Sequence, residues 1–444
     1  MTNNKHCLAP WTHTYLSPQS ERRLCCASRE PSHVFKQYID KNPAVGDITK
    51  EAALDLLKNR NKYNPQTLEE HWNSDHMKSV RRRMMAGKSL PECEVCDKKL
   101  LNTSVYKDYF DAMFDHKRDS LLAATDADGT HHGLPISFDY RLKNTCSFKC
   151  RMCGPMLSSA WEAEVRRFSP DIVKYETWMA QPNRSAIRQF QEGQATDELW
   201  DAIKSRRIEE IYWVGGEPMD WPEHWEMMLY MVEHDIAKDV YVRYNTNLSK
   251  IDYKGTNIFD LLPKFKDWQI CASLDGVGEI GEYIRTGLDY NKWHQNFSVG
   301  KKASKHIRQM RVDLTLTLPG LVNFQGIHQL VNEFDVELLT KITFAFSPDI
   351  IMSPMCLPRR LLNDAIDAIL DNCAADSRTD SLVSVLKNMK ELPNFQEQWP
   401  EQYLVGLQQG KARILELELR RKDSYTMSDI LKYRPEIREW WDGI

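Results

Sequence analysis

The sequence predicts an α/β fold built on parallel strands, either closed into a complete or partial barrel or left open as a doubly wound sheet. Three observations carry that prediction. From residue 136 onward six strand-like segments alternate with helix-favouring stretches, an order that calls for parallel pairing and right-handed crossovers. The chain's unusual residues fall where those segments end, and parallel βα architectures gather function at the carboxyl ends of their strands. At 444 residues the chain also exceeds the size at which one core keeps growing, so a large domain with appendages is expected.

The elements follow in order. Residues 1 to 30 carry Cys7, Cys25 and Cys26 around SPQSERR, a polar turn-like stretch suited to joining two short strands. Residues 32 to 90 read as helical. In TLEEHWNSDHMKSVRRRMMAG the residues Leu68, Trp72, Met77, Val80 and Met84 recur at helical spacing, and Gly87 makes a stop before CEVC at 93 to 96. The polar stretch 116 to 135, with DADG and His131-His132, reads as a linker and a solvated turn. Arg81-Arg82-Arg83 reads as a solvated helix face.

The strand candidates are 136–142, 210–214, 240–245, 268–274, 310–316 and ITFAF at 342–346, with helical stretches at 157–168, 197–206, 222–236, 257–265, 290–305 and 324–334. Beyond about residue 355, segments such as RLLNDAIDAILDN and YLVGLQQGKARILELELRRKD predict a helical extension packed on the barrel. Cys271, Cys356 and Cys373 read as packed residues, and the thirteen tryptophans as core and contact groups.

Composition bounds the function classes. Hydrophobic residues make up 42% and charged residues 27%, with net charge −4, which fits neither a disordered chain nor a basic nucleic-acid binder. MTNNKHCLAPW lacks the basic flank and apolar stretch of a secretory signal, and no run of about 20 apolar residues occurs. The expectation is a cytoplasmic protein with no membrane partner. In that reducing compartment clustered cysteines point to metal or redox chemistry rather than to disulfides.

The strand ends hold the chemistry. Cys146, Cys150 and Cys153 follow the first strand candidate, Gly215-Gly216-Glu217-Pro218 the second, and Asn245-Thr246-Asn247 ends the third. Ser273 and Asp275 close the fourth, Thr315 and Thr317 the fifth, and Ser347 the sixth. Three thiols in C-x3-C-x2-C, with no fourth ligand nearby, differ from a closed zinc site and from the four-cysteine ferredoxin run. A cubane held by three thiolates keeps one iron open for a ligand. Asp275 also suits a helix N-cap.

C-x3-C-x2-C directly after a strand resembles the signature of the radical S-adenosylmethionine superfamily, and YWVGGEP resembles its motif that contacts the methionine amino group. The resemblance implies a partial (β/α)6 TIM-like barrel over 136–350 and a 4Fe-4S cluster whose open iron chelates S-adenosyl-L-methionine. One-electron cleavage then gives a 5'-deoxyadenosyl radical that abstracts hydrogen. Further implied contacts are Asn245, Asn247, Ser273 and Asp275 at the ribose and Arg285 of EYIRTG near the cofactor carboxylate. Met152 stands where the family has an aromatic residue, and its thioether suits an adenine face.

CLAPW followed by CC, and WNSDHMKSVRRRMMAGKSLPECEVC, resemble the twitch or SPASM auxiliary-cluster modules of these enzymes, although here the cysteines precede the barrel. The implied ligands of an auxiliary 4Fe-4S cluster are Cys7, Cys25 or Cys26, Cys93 and Cys96. A structural zinc site is the competing reading.

The expected organisation is therefore an auxiliary module over 1–115, a linker over 116–135, the barrel over 136–350 and a helical extension over 351–444. Its expected function is radical modification of a peptide or protein side chain, with a flavodoxin or ferredoxin as electron donor. The alternatives are dehydrogenation of a small alcohol or sugar and a non-catalytic iron-sulfur electron-transfer or metal-binding scaffold.

Overall fold

The computed structural model describes residues 7–28, 65–97, 105–170, 173, 178–342, 350–373 and 377–444. They form two compact units: Met1–Thr145 with Pro155–Arg243 and Lys264–Lys266, and Cys146–Gly154 with Tyr244–Pro263 and Asp267–Ile444. The class is α/β with parallel strands, consistent with a partial TIM-like barrel fold.

In the first unit the strands His13–Leu16 and Arg22–Arg23 form the hairpin expected around SPQSERR, its last two residues already strand, pairing Tyr15 with Arg23. His13–Leu16 also runs parallel to Ser137–Tyr140, which in turn runs parallel to Glu210–Trp213. The register aligns His13, Ser137 and Glu210 in one row and Phe138 with Ile211 in the next. Because side chains alternate across a strand, the two rows face opposite sides of the sheet, one polar and the other apolar apart from Thr14, which pairs with Phe138.

The helices of this unit begin where their sequences dictate. Thr67 and Glu70 form a capping box for Leu68–Trp72, and Ser74 accepts from Met77 N to cap Asp75–Met85. Gly87 at φ +67° ends that run, in the left-handed region that glycine enters without a Cβ penalty. Met77, Val80 and Met84 pack with Leu8, Trp11, Phe110 and Phe114 in one apolar cluster.

Two surface expectations fail at one residue each, while Arg82 and residues 126–128 stay exposed as expected. Arg81 is fully buried: it donates to the carbonyls of Pro10 and Trp72 and stacks 4.8 Å over the Trp72 ring. It sits three residues before Met84 and one after Val80, so helix periodicity turns it inward with its charge spent on backbone carbonyls. His131 is also buried, bonded through Nδ1 to Thr125, while His132 stays exposed.

In the second unit Met310–Leu316 lies parallel to Asp267–Ser273 on one side and to Glu337–Ile342 on the other. Helices Tyr290–Ala303 and Gln325–Phe334 occupy the intervals between these strands, as expected. The last described strand begins five residues before the expected 342–346, of which only Ile342 lies among the described residues. Asp335, left-handed at φ 48°, ends the preceding helix at once, so extended backbone starts at Glu337 rather than five residues later. Residues 343–349, Ser347 among them, lie outside the described residues.

The C-terminal stretch is helical at Arg359–Leu370, Asp380–Glu391, Pro400–Arg421 and Pro435–Asp442. Among the described residues no helix is long and apolar enough to cross a membrane.

Candidate functional site

Within the second unit the three cysteines of C-x3-C-x2-C sit on one short loop, Cys146–Gly154. Two backbone features fix its shape. Lys149–Cys150 pairs antiparallel with Arg285–Thr286, placing Cys150 opposite Arg285. A tight turn then brings Cys153 N to 3.0 Å from Cys150 O.

Two N–H groups approach the sulfurs. Asn247 Nδ2 lies 3.8 Å from Cys146 Sγ, and Arg285 Nη1 lies 4.0 Å from Cys150 Sγ. Burial pushes the Cys150 and Cys153 thiols up, with the Arg285 cation acting in the opposite sense on both. A bound cation removes such thiol protons outright. The donor set is thus soft and supplied with hydrogen-bond donors, as an iron-sulfur cluster requires.

The strand ends place polar groups beside this loop in the same unit. Asp275 is fully buried, accepts from Thr315 N at 2.8 Å and stands 2.7 Å from Arg285 Nε. It does not cap a helix, since Val277 is the N-cap of Gly278–Ile284. Burial raises the Asp275 carboxyl above its ordinary range against the pull of Arg285, while Asp275 and Cys150 keep Arg285 charged despite burial. Asn245 donates to Asp313 Oδ2, which also accepts from Lys341 Nζ at 2.9 Å. Ser273 lies opposite Asp313 in the strand register.

In the first unit Gly215-Gly216-Glu217-Pro218 forms a turn straight after Glu210–Trp213. Gly215 and Gly216 have φ +98° and +29°. A Cβ on Gly216 would meet Thr145 O at 2.4 Å, and Glu217 N donates to that carbonyl at 2.7 Å. Only glycine permits this approach to the residue that precedes Cys146. Glu217, almost fully buried, accepts from Met219 N and so caps the short turn Pro218–Asp220.

The N-terminal cysteines gather as well, but not all five. Cys7, Cys25, Cys93 and Cys96 line one cavity of about 260 Å³ together with Glu92 and Tyr106, and Cys26 is absent from its lining. Cys26 stands instead by Asp139, Arg141 and Tyr106. Burial pushes the Cys7, Cys25 and Cys93 thiols up, Cys93 to about 12. Among the described residues no three His, Cys, Asp or Glu side chains are drawn together around a single ion position.

Several groups went unread in the sequence. Asp139 and Arg141, Glu210, Arg243, Arg311 and Asp313 all lie on or just beside the strands, at alternate positions. Parallel strands buried on both faces should read as continuous apolar runs, so charge at every second place signals a polar face. Arg243 illustrates it, stacking over Tyr109 at 4.2 Å and Tyr212 at 3.9 Å beside Glu210 at 3.6 Å.

Residues 140–325 match the Radical SAM superfamily. No curated protein matches the chain. Among solved structures, native anSMEcpe with bound AdoMet and Cp18Cys peptide is 19% identical over 38% of this chain and 51% of its own, at TM-score 0.30. The match therefore spans about half the length of that protein. Streptococcus suis SuiB bound to S-adenosylmethionine is 12% identical over 64% and 62% of the two chains at TM-score 0.33. TYW1 with a lysine-pyruvate adduct bound is 14% identical over 52% and 73% at TM-score 0.29.

Proposed function

We propose that this chain, which carries a Radical SAM domain over residues 140–325, is an enzyme that modifies a peptide or protein side chain by hydrogen abstraction. The observation that carries the reading is the three-thiol loop with Asn247 and Arg285 donating toward its sulfurs. When bound there, a 4Fe-4S cluster with S-adenosyl-L-methionine supplies a 5'-deoxyadenosyl radical by one-electron cleavage, the electron coming from a donor such as a flavodoxin or ferredoxin.

The chain's own groups have the following parts. Cys146, Cys150 and Cys153 would hold the cluster. Asn247 and Arg285 favour the thiolate form of Cys146 and Cys150 by hydrogen bonding to it. Asp275 orients Arg285 at 2.7 Å. Asn245 and Ser273 contact the cofactor, and burial of Asp275 and Arg285 in the same unit keeps water away from their side of it; a contact by Gly215, Gly216, Glu217 and Pro218 rests on the sequence resemblance alone.

Cys7, Cys25, Cys93 and Cys96 hold an auxiliary 4Fe-4S cluster. In support, a single zinc ion draws its thiolates to about 2.3 Å, whereas these thiols border a cavity of about 260 Å³. The peptide substrate class rests on that auxiliary module.

Iron, sulfide and zinc content after anaerobic reconstitution tests the reading, together with 5'-deoxyadenosine formation. About eight irons falling to about four in a Cys146/Cys150/Cys153 triple alanine variant is the expected result. Iron-loaded, reduced wild type that forms no 5'-deoxyadenosine from S-adenosylmethionine would overturn it in favour of an electron-transfer scaffold. Oxidation of a small alcohol with peptides left unchanged would overturn the substrate class.

A further inference from the structure

Arg151 lies between the second and third thiols of the loop, and its environment is unusual. It is 1% exposed, and its backbone N–H is bonded to Ile284 O at 2.8 Å. Its guanidinium sits 4.0 Å over the Tyr283 ring and donates through Nη2 to Asp423. Nε and Nη1 are buried without a hydrogen-bond partner among the described residues. A buried cation costs free energy unless it is paired, so Asp423 and the ring face of Tyr283 determine whether this geometry is tenable.

Asp423 comes from far along the chain, outside residues 140–325. The helix Pro400–Arg421 ends at Lys422, left-handed at φ 53°, and that reversal brings Asp423 N back to Glu418 O at 3.2 Å. The same segment touches the loop at two further points. Arg421 Nη1 donates to Lys149 O at 2.9 Å and to Thr286 Oγ1 at 3.2 Å, bridging both strands of the pair that carries Cys150. Glu418 accepts from Tyr283 OH at 2.7 Å and from Met427 N at 2.7 Å, which fixes the ring on which Arg151 stacks.

We propose that Glu418, Arg421 and Asp423 form a latch that holds the cysteine loop in its ligand-presenting shape, with Arg151 as the group it grips. These are positioning residues. The tail of a helix that the sequence presents as an appendage thereby becomes part of the cysteine loop's support. The consequence for a bound cluster rests on the proposed function above, whereas the latch itself is a property of the chain.

Two readouts separate the claims. Hydrogen–deuterium exchange of the apo chain is compared for wild type, Asp423→Ala and the conservative Asp423→Glu. The expected result is at least tenfold faster amide exchange in 146–154 for D423A, substantial recovery in D423E and unchanged exchange in the distant helix Gln325–Phe334. Exchange in 146–154 equal to wild type would overturn the latch. Should D423A not fold, the isosteric Asp423→Asn is read in the same way.

The second readout is the rate at which a chelator strips iron from the reconstituted chain in a Cys96→Ala background. At least fivefold faster loss is expected for D423A, and equal rates would overturn the latch's part in holding a cluster. Wild type that takes up no iron at Cys146, Cys150 and Cys153 would sink the proposed function, and the exchange result would still decide the latch.

Discussion

Arg285 Nε stands 2.7 Å from the Asp275 carboxylate, and Arg285 Nη1 points at Cys150 Sγ. The ion pair is held by charge more than by a well-aligned hydrogen bond, because neither Arg285 Nε nor Asp275 Oδ2 has a partner of good geometry. Both groups are buried, so neither tolerates loss of the other.

Asp275→Ala is therefore expected to destabilise the fold by about 3–5 kcal/mol, the usual cost of stranding a buried charge. Asp275→Asn, which still accepts from Thr315 N, should cost less. Urea denaturation of the three proteins checks the order, and a D275A variant within about 1 kcal/mol of wild type would show that Arg285 finds its compensation elsewhere.

The cavity lining separates two adjacent cysteines. Cys25 lines it and Cys26 does not. In the triple alanine background that removes Cys146, Cys150 and Cys153, Cys25→Ala should abolish retention of the remaining iron, about four per chain, and Cys26→Ala should leave it in place. Equal loss in both variants would mean that the turn carrying Cys26 swings toward the metal on loading.

Gly216 makes a third prediction. A Cβ there would lie 2.4 Å from Thr145 O at a backbone angle of φ +29°. Backbone cannot yield as a flexible side chain does, so Gly216→Ala should cost about 1–3 kcal/mol in strain and shift the turn. Binding of S-adenosylmethionine, followed by equilibrium dialysis, should weaken at least tenfold. Unchanged affinity would remove this turn from cofactor contact.

These sites differ in how legible they were. The strands Met310–Leu316 and Asp267–Ser273 lay within one residue of their expected positions because β-branched and apolar runs bounded by turn formers leave little choice. Of ITFAF only Ile342 lies among the described residues, in a strand that starts earlier, at Glu337, because the turn at Asp335 and pairing with Met310–Leu316 set its start. The choice between Cys25 and Cys26 had no local signal at all. It depends on where a hairpin and the remote helices Pro91–Cys93 and Glu94–Asp97 meet. Arg151 and Asp423, 272 residues apart, are invisible to any window of sequence.

Acid stability supplies the last prediction. His224 is fully buried, edge-on to Trp213 at 4.8 Å and Trp225 at 5.2 Å, and burial lowers its pKa to about 3 from the ordinary 6.5. The folded chain thus keeps a neutral imidazole, while the unfolded chain takes up a proton below pH 6.5. Stability from this group is complete above pH 6.5 and falls as pH drops toward 3. At pH 5 the loss relative to pH 7 should be about 2 kcal/mol for His224 alone. His224→Phe keeps an aromatic ring against both tryptophans and has nothing to titrate. Denaturant unfolding at pH 7 and pH 5 should therefore show a smaller drop for the variant by that amount. Identical drops would mean that His224 is already as hard to protonate in the unfolded chain, or that acid acts first elsewhere, with His13, lowered to about 3 by its own burial, the next group to replace.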